Sequence, residues 1–264
     1  MFSLPRFIKK FTMKKTVFIT GATSGIGKAC AEKFAAHHYD LIITGRRDNL
    51  LQEIKSSIEN KYSSQVTTLC FDVQDKIAVF NAIEQLPEDK KQIDILINNA
   101  GLALGKDPFD EADITDWETM MNTNVNGLLY VSKALMPFIK ESKGHIVNIG
   151  SIAGKEVYEN GNGYCASKFA VDAISKAMRI DLVKHGIKVT SINPGAVETD
   201  FSLVRFKGNE EKAADAYKNY IPLTPDNIAD TIFFCCTLPA HVCINDLTIT
   251  CLQQASASVF FKKQ

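Results

Sequence analysis

Residues 16–28, TVFITGATSGIGK, decide the fold. The opening five residues are β-branched or apolar, the composition of a strand buried on both faces. Gly21, Gly25 and Gly27 follow, and an alanine-rich run then reads as helix to about His38. Glycines allow a tight turn and a close backbone approach to a bound group. The next helix N-terminus adds free N–H groups and the positive end of its dipole. Strand, glycine turn and helix in this order predict a pyrophosphate cradle. A Walker A loop is excluded, because Ile26 stands where its second glycine belongs and Ala29 where its Ser/Thr belongs. The G-x-G-x-x-G spacing is also absent.

The alternation continues outward. Residues 41–44, 65–71, 93–98, 145–150, 187–193 and 247–250 read as strands. Between them lie helical runs: one with Leu50, Leu51, Ile54 and Ile58, one with Ile77, Phe80 and Ile83, a long one over about 115–140, and one over about 163–185. Two more are expected near 210–220 and 225–238. Apolar strands alternating with helices predict the α/β class: a single-domain, doubly wound parallel sheet of about seven strands, with helices on both faces. No repeat or low-complexity linker divides the chain. Residues 15–264 form one domain, preceded by an N-terminal tail, 1–14. Ligands in such sheets sit beyond the carboxyl ends of the strands, where the motifs below all fall.

Composition narrows the function. The 264 residues carry 30 Lys+Arg against 30 Asp+Glu, so total charge points to neither nucleic acid nor an anionic membrane. No apolar run approaches the ~20 residues of a membrane span. The basic start, MFSLPRFIKKFTMKK, lacks the continuous apolar core of a secretory signal. Seven cysteines and five histidines show no metal-ligand spacing, so no metal is expected, and the thiols read as reduced in a cytoplasmic protein.

After the second strand the chain reads TGRR, residues 44–47. An acid there would bind a ribose 2′-OH, whereas Arg46 and Arg47 suit a 2′-phosphate through charge-assisted hydrogen bonds, predicting NADP(H). Arg47 alternatively only begins a solvated helix. Tyr164 and Lys168 are four apart on a helical run and share a face. A nearby ammonium and the positive nicotinamide of an oxidised cofactor favour phenolate, so the two are expected to lower the Tyr164 pKa. Ser151 follows the fifth strand, thirteen residues before Tyr164, and Asn124 lies in the long helix. No GxSxG elbow surrounds Ser151, which argues against a hydrolase.

These motifs in register, TGATSGIG, NNAG (98–101), Asn124, Ser151, YCASK (164–168) and NPG (193–195), resemble the short-chain dehydrogenase/reductase family over about 15–250. NNAGLALG, DWETM, GHIVNIGS, VRFKG and TLPAHVCIN further resemble its branch of NADP-dependent 3-hydroxy acid dehydrogenases, which includes L-allo-threonine and serine dehydrogenases. The resemblance implies a Rossmann fold and hydride transfer. It places Gly21, Thr23, Ser24, Gly25, Ile26 and Gly27 around the pyrophosphate, Arg46 and Arg47 near the 2′-phosphate, and Asp72 and Val73 at the adenine. Asn99, Ala100 and Gly101 would line the cleft, with Pro194, Gly195, Val197 and Thr199 beside the nicotinamide. Ser151, Tyr164, Lys168 and Asn124 would be the catalytic set, Tyr164 and Lys168 also touching the cofactor and Asn124 holding a water. The family further implies a homotetramer or homodimer.

The substrate is a small molecule closed in by a lid over about 196–220. Arg205, with Lys207, is expected to attract its carboxylate, and the alternative of solvent-exposed charge or a subunit contact stays open. Two other functions stay open as well: reduction of carrier-linked ketoacids, diketones or steroids, and a non-catalytic NADP sensor. Phe260 and Phe261, near the C-terminus, are expected to bury against a neighbouring subunit.

Overall fold

The computed structural model describes residues 14–261. Residues 1–13 of the expected tail lie outside that range. Seven parallel strands form one sheet in the order β3-β2-β1-β4-β5-β6-β7. They are β1 (Thr16–Ile19), β2 (Asp40–Gly45), β3 (Val66–Cys70), β4 (Ile95–Asn98), β5 (His145–Ile149), β6 (Lys188–Pro194) and β7 (Asp246–Ile249). The helices are α1 (Gly25–Ala36), α2 (Asp48–Lys61), α3 (Lys76–Glu84), α4 (Ile114–Met121), α5 (Leu128–Ser142), α6 (Asn162–Leu182), α7 (Phe201–Arg205), α8 (Glu210–Asp215) and α9 (Pro225–Thr237).

Strand alternation builds two cores. Val17, Ile19, Leu41, Ile43, Ile95, Ile97 and Val147 face one layer, with Phe34 of α1 and Ile228 and Ile232 of α9. Phe18, Ile42, Leu96 and Ile146 face the other, with Val79 of α3 and Val131 and Leu135 of α5. Successive side chains point to opposite faces, so a strand apolar at every position serves both layers. Truncating one of these fully buried side chains, such as Phe34 to alanine, costs about 3–5 kcal/mol. Burial on both faces holds for the central strands. At the sheet edges β3 and β7 are only partly buried, because each has a neighbour on one side alone.

The strand order reverses between β1 and its neighbour β4, which opens a crevice at their carboxyl ends. The long helix expected over 115–140 is interrupted. A π-helical turn, Asn122–Gly127, joins α4 to α5. A Cβ on Gly127 would lie 2.8 Å from Val73 Cγ2, so glycine lets this turn press on the end of β3. The helix expected near 210–220 ends at Asp215.

Candidate active site

The glycine turn is shaped by close approach. Gly21 and Gly25 have φ of +65° and +52°, and a Cβ on Gly27 would sit 2.4 Å from the Gly21 carbonyl oxygen. Asn99 braces the turn: its Nδ2 donates to the carbonyls of Thr20 at 2.9 Å and Gly21 at 3.1 Å. The backbone N–H groups of Asn99 and Ala100 each donate to Thr20 Oγ1 at 2.9 Å. At the head of α1, the Ser24 side chain accepts no capping hydrogen bond and the first turn holds no acid. An uncapped, acid-free N-terminus against a glycine turn fits a pyrophosphate.

The next strand ends supply the cations. Arg46 Nη1 lies 3.6 Å from Asp72 Oδ2, at the end of β3, and its side chain is otherwise exposed to the cleft. Arg47, the residue before α2, donates to Thr23 Oγ1 at 2.7 Å. It therefore does more than begin a helix, since it ties α2 to the glycine turn. Val73, Gly101, Pro194, Gly195, Val197 and Thr199 line the same cleft of about 1720 Å³, which extends past Ser151 and Tyr164 to Arg205. The residues present fit a dinucleotide carrying a 2′-phosphate.

β5 delivers Ser151, whose Oγ accepts from Ala153 N–H at 3.1 Å and whose hydroxyl favours the Tyr164 phenolate. Lys168 donates from Nζ to the Ile149 carbonyl at 2.8 Å and lies 5.9 Å from the centre of the Tyr164 ring. Burial pushes the Tyr164 pKa up, Tyr158 adds to the rise, and the Ser151 hydrogen bond and Arg205 oppose it. Burial also lowers Lys168 to about 8. Among the protein's own groups burial prevails, and the expected lowering of the Tyr164 pKa calls on the bound nicotinamide as well as Lys168. Desolvation outweighs an ammonium that is itself desolvated and turned toward a carbonyl.

Asn124 is already engaged by protein groups. Its Oδ1 accepts from Leu102 N–H at 2.8 Å, and its Nδ2 donates to Leu102 O at 2.8 Å and Ser167 Oγ at 2.9 Å. The amide clamps the loop after β4 with both of its donors, and its Oδ1 keeps one lone pair that a water could use. Ser167 in turn donates to the Tyr164 carbonyl at 2.8 Å, so Asn124 acts on the site through its frame.

Within the lid, the two expected cations part company. Arg205 Nε donates to the Gly105 carbonyl at 3.2 Å. Its guanidinium carbon lies 5.5 Å from the Tyr158 ring centre and 5.6 Å from that of Tyr164. Lys207 instead pairs with Asp116 at 2.8 Å and does not line the cleft, because α7 ends between the two residues. Phe260 packs on Tyr220 of the same chain, with ring centres 4.9 Å apart, so only the 73% exposed Phe261 remains available to a neighbour.

Two cleft residues escaped the sequence. Tyr158, six residues before Tyr164, had its aromatic ring in an otherwise polar loop as a signal. Gln254 had none: its Oε1 accepts from Ala196 N–H at 2.8 Å, a contact between a C-terminal turn and the base of the lid. Among the described residues no group of three His, Cys, Asp or Glu is placed to hold a metal, and no helix is long and apolar enough to cross a membrane.

A switch-point crevice with a glycine cradle at one end and a Ser-Tyr-Lys cluster at the other defines a dinucleotide-dependent oxidoreductase of the short-chain type. Residues 15–209 match the short chain dehydrogenase family, and the chain belongs to it. It is 42% identical over 252 residues to the NADP-dependent 3-hydroxy acid dehydrogenase of Schizosaccharomyces pombe, spanning 95% of this chain and 97% of the relative. It is 40% identical over 245 residues to the serine 3-dehydrogenase of Rhizobium radiobacter, spanning 93% and 97%. A solved serine dehydrogenase, described as the closed form complexed with NADP+, superposes with a TM-score of 0.87 at 41% identity, covering 94% of this chain and all of that one.

Proposed function

We propose that this chain is an NADP(H)-dependent dehydrogenase of small 3-hydroxy acids, such as serine, L-allo-threonine or 3-hydroxypropionate. One observation carries the substrate class: the Arg205 guanidinium is held over the ring of Tyr164, at the edge of the reacting centre. A planar guanidinium there offers paired donors to a substrate carboxylate.

Bound NADP+ supplies the hydride acceptor. Gly21, Gly25 and Gly27 would hold its pyrophosphate and Arg46 its 2′-phosphate. Tyr164 takes the substrate hydroxyl proton in oxidation and returns it in reduction. Ser151 hydrogen-bonds the same oxygen and fixes its direction. Lys168 and the positive nicotinamide of bound NADP+ together would favour the phenolate that burial alone opposes. Arg205 anchors the carboxylate, which sets the hydroxyl-bearing carbon against Tyr164.

Initial rates with NADP+ and NAD+ over serine, L-allo-threonine, 3-hydroxybutyrate and 3-hydroxypropionate test the reading. The expected result is the highest kcat/KM for one of these acids with NADP+. NADPH-dependent turnover of a carrier-linked ketoacid, diketone or steroid with none of the acids would overturn it. Assembly as a homodimer or homotetramer belongs to the same reading, supported by exposed Leu129 on α5 and Phe169 and Ile180 on α6, and sedimentation checks it. So does a cytoplasmic location, supported by the unpaired cysteines.

A further inference from the structure

Arg205 is not held by the lid alone. Its backbone carbonyl accepts from Gly105 N–H at 2.9 Å while its Nε donates to the Gly105 carbonyl at 3.2 Å. Gly105 has φ +68°, and a Cβ there would fall 2.9 Å from Asp107 Oδ2 and 3.3 Å from Asp116 Oδ2. Two residues past Arg205 the chain turns back through Lys207 at φ +52° and Gly208 at φ +87°. That turn aims Lys207 at Asp116 of α4, 2.8 Å away, where the carboxylate is 13% exposed.

Asp116 belongs to an element tied to the acid/base tyrosine. Its neighbour Trp117 donates from Nε1 to Asn162 Oδ1 at 2.9 Å, at the first residue of α6. Trp117 also packs on Gly163, where a Cβ would meet Trp117 Cδ1 at 2.6 Å. Tyr164 is the next residue. The contacts therefore run in a ring: Tyr164 to Trp117 through the head of α6, Asp116 to Lys207 by charge, and Arg205 back onto Tyr164.

We propose that Asp116 and Lys207 are positioning residues, a latch that holds α7 against α4 and so sets the Arg205 guanidinium over Tyr164. The inference rests on the reading of Arg205 as the carboxylate site. Lys207 then serves substrate selection without touching substrate, and its left-handed conformation directs its side chain to Asp116 instead of the cleft.

The test compares full-length Asp116→Asn, Lys207→Met and the exchange of Asp116→Lys with Lys207→Asp against Arg205→Met. With NADP+, kcat/KM is measured for 3-hydroxypropionate and for its methyl ester, which keeps the reacting alcohol and lacks the charge. Loss of a pair worth ~1 kcal/mol predicts an acid-to-ester ratio about fivefold lower in Asp116→Asn and Lys207→Met, expressed mainly in KM. The ester rate stays near that of the parent, and the exchanged pair recovers at least part of the ratio. Without cofactor, amide hydrogen exchange over residues 203–208 should rise in the two single variants and stay unchanged in β4 and β5.

An unchanged ratio in Asp116→Asn and Lys207→Met, alongside a lowered one in Arg205→Met, overturns the latch and leaves the carboxylate reading standing. An unchanged ratio in Arg205→Met overturns that reading and the latch with it. Equal loss for acid and ester in the single variants assigns the pair a merely structural role, which also overturns the latch.

Discussion

Lys168 shares a helix face with Tyr164 but directs its ammonium to the Ile149 carbonyl at 2.8 Å, standing 5.9 Å from the tyrosine ring centre. Ser151, by contrast, acts on Tyr164 to favour its phenolate. Tyr164→Phe removes the hydroxyl proposed to carry the proton and leaves the ring in place. It should lower kcat by about 10²–10⁴-fold, the usual contribution of a positioned acid/base. NADPH affinity, read by fluorescence titration, should change little. Retained turnover would remove Tyr164 from the chemistry.

Burial lowers the Lys168 pKa from 10.5 to about 8, which sets a relation between activity and stability. Below about pH 8 the folded protein carries a desolvated ammonium. Between about 8 and 10.5 only the unfolded chain keeps the proton, so this group's contribution to stability rises with pH. Lys168→Met should therefore abolish most activity yet stabilise the unliganded fold at pH 7, by on the order of 1–3 kcal/mol. The gain should fade as pH rises from about 8 to 10.5. Urea unfolding at pH 7 and pH 10 checks the sign, and a destabilised variant at pH 7 would contradict it.

His145 gives the opposite experimental window. Burial, with a smaller effect of Lys188, lowers its pKa from 6.5 to about 3, while Nε2 shares a 2.7 Å hydrogen bond with Thr190 Oγ1. As pH falls below about 6.5 the unfolded chain takes a proton that the folded chain refuses, so stability falls progressively toward pH 3. His145→Gln should flatten the pH 4–6.5 limb of the unfolding curve by a few kcal/mol, an order-of-magnitude figure from the shift. A limb as steep as in the parent protein would place the acid sensitivity elsewhere.

Arg46 is paired only loosely, at 3.6 Å from Asp72, whereas Arg47 already donates to Thr23 at 2.7 Å. Loss of a charge-assisted phosphate contact costs roughly 1.5–3 kcal/mol, or about 10–100-fold. Arg46→Ala should raise the KM for NADP+ by that factor and leave NAD+ kinetics nearly unchanged. Arg47→Ala should do less. Equal effects on the two nucleotides would show that Arg46 does not meet the 2′-phosphate.

Much of this was legible along the chain. Strands such as VFI and LII, apolar at every position, announce a sheet covered on both sides, because alternate side chains must both be buried. Gly21, Gly25 and Gly27 announce the cradle, since two need positive φ and the third leaves no room for a Cβ. Tyr164 and Lys168 share a face by helical periodicity alone. The π turn at Asn122–Gly127 was not legible, because no local preference distinguishes it from the α-helix it interrupts.

Sequence by itself determined which chemistry the chain carries: the residue types, their order and the periodicities that put them at the carboxyl edge of a parallel sheet. Only the tertiary structure decided how each is used. Asn124 clamps Leu102, Lys207 pairs with Asp116 while Arg205 reaches Tyr164, and Gln254 holds the base of the lid from a C-terminal turn. Each assignment depends on a partner distant in sequence. Periodicity places a side chain on a face, but burial and hydrogen-bond satisfaction choose its partner, and both are settled only when the elements pack.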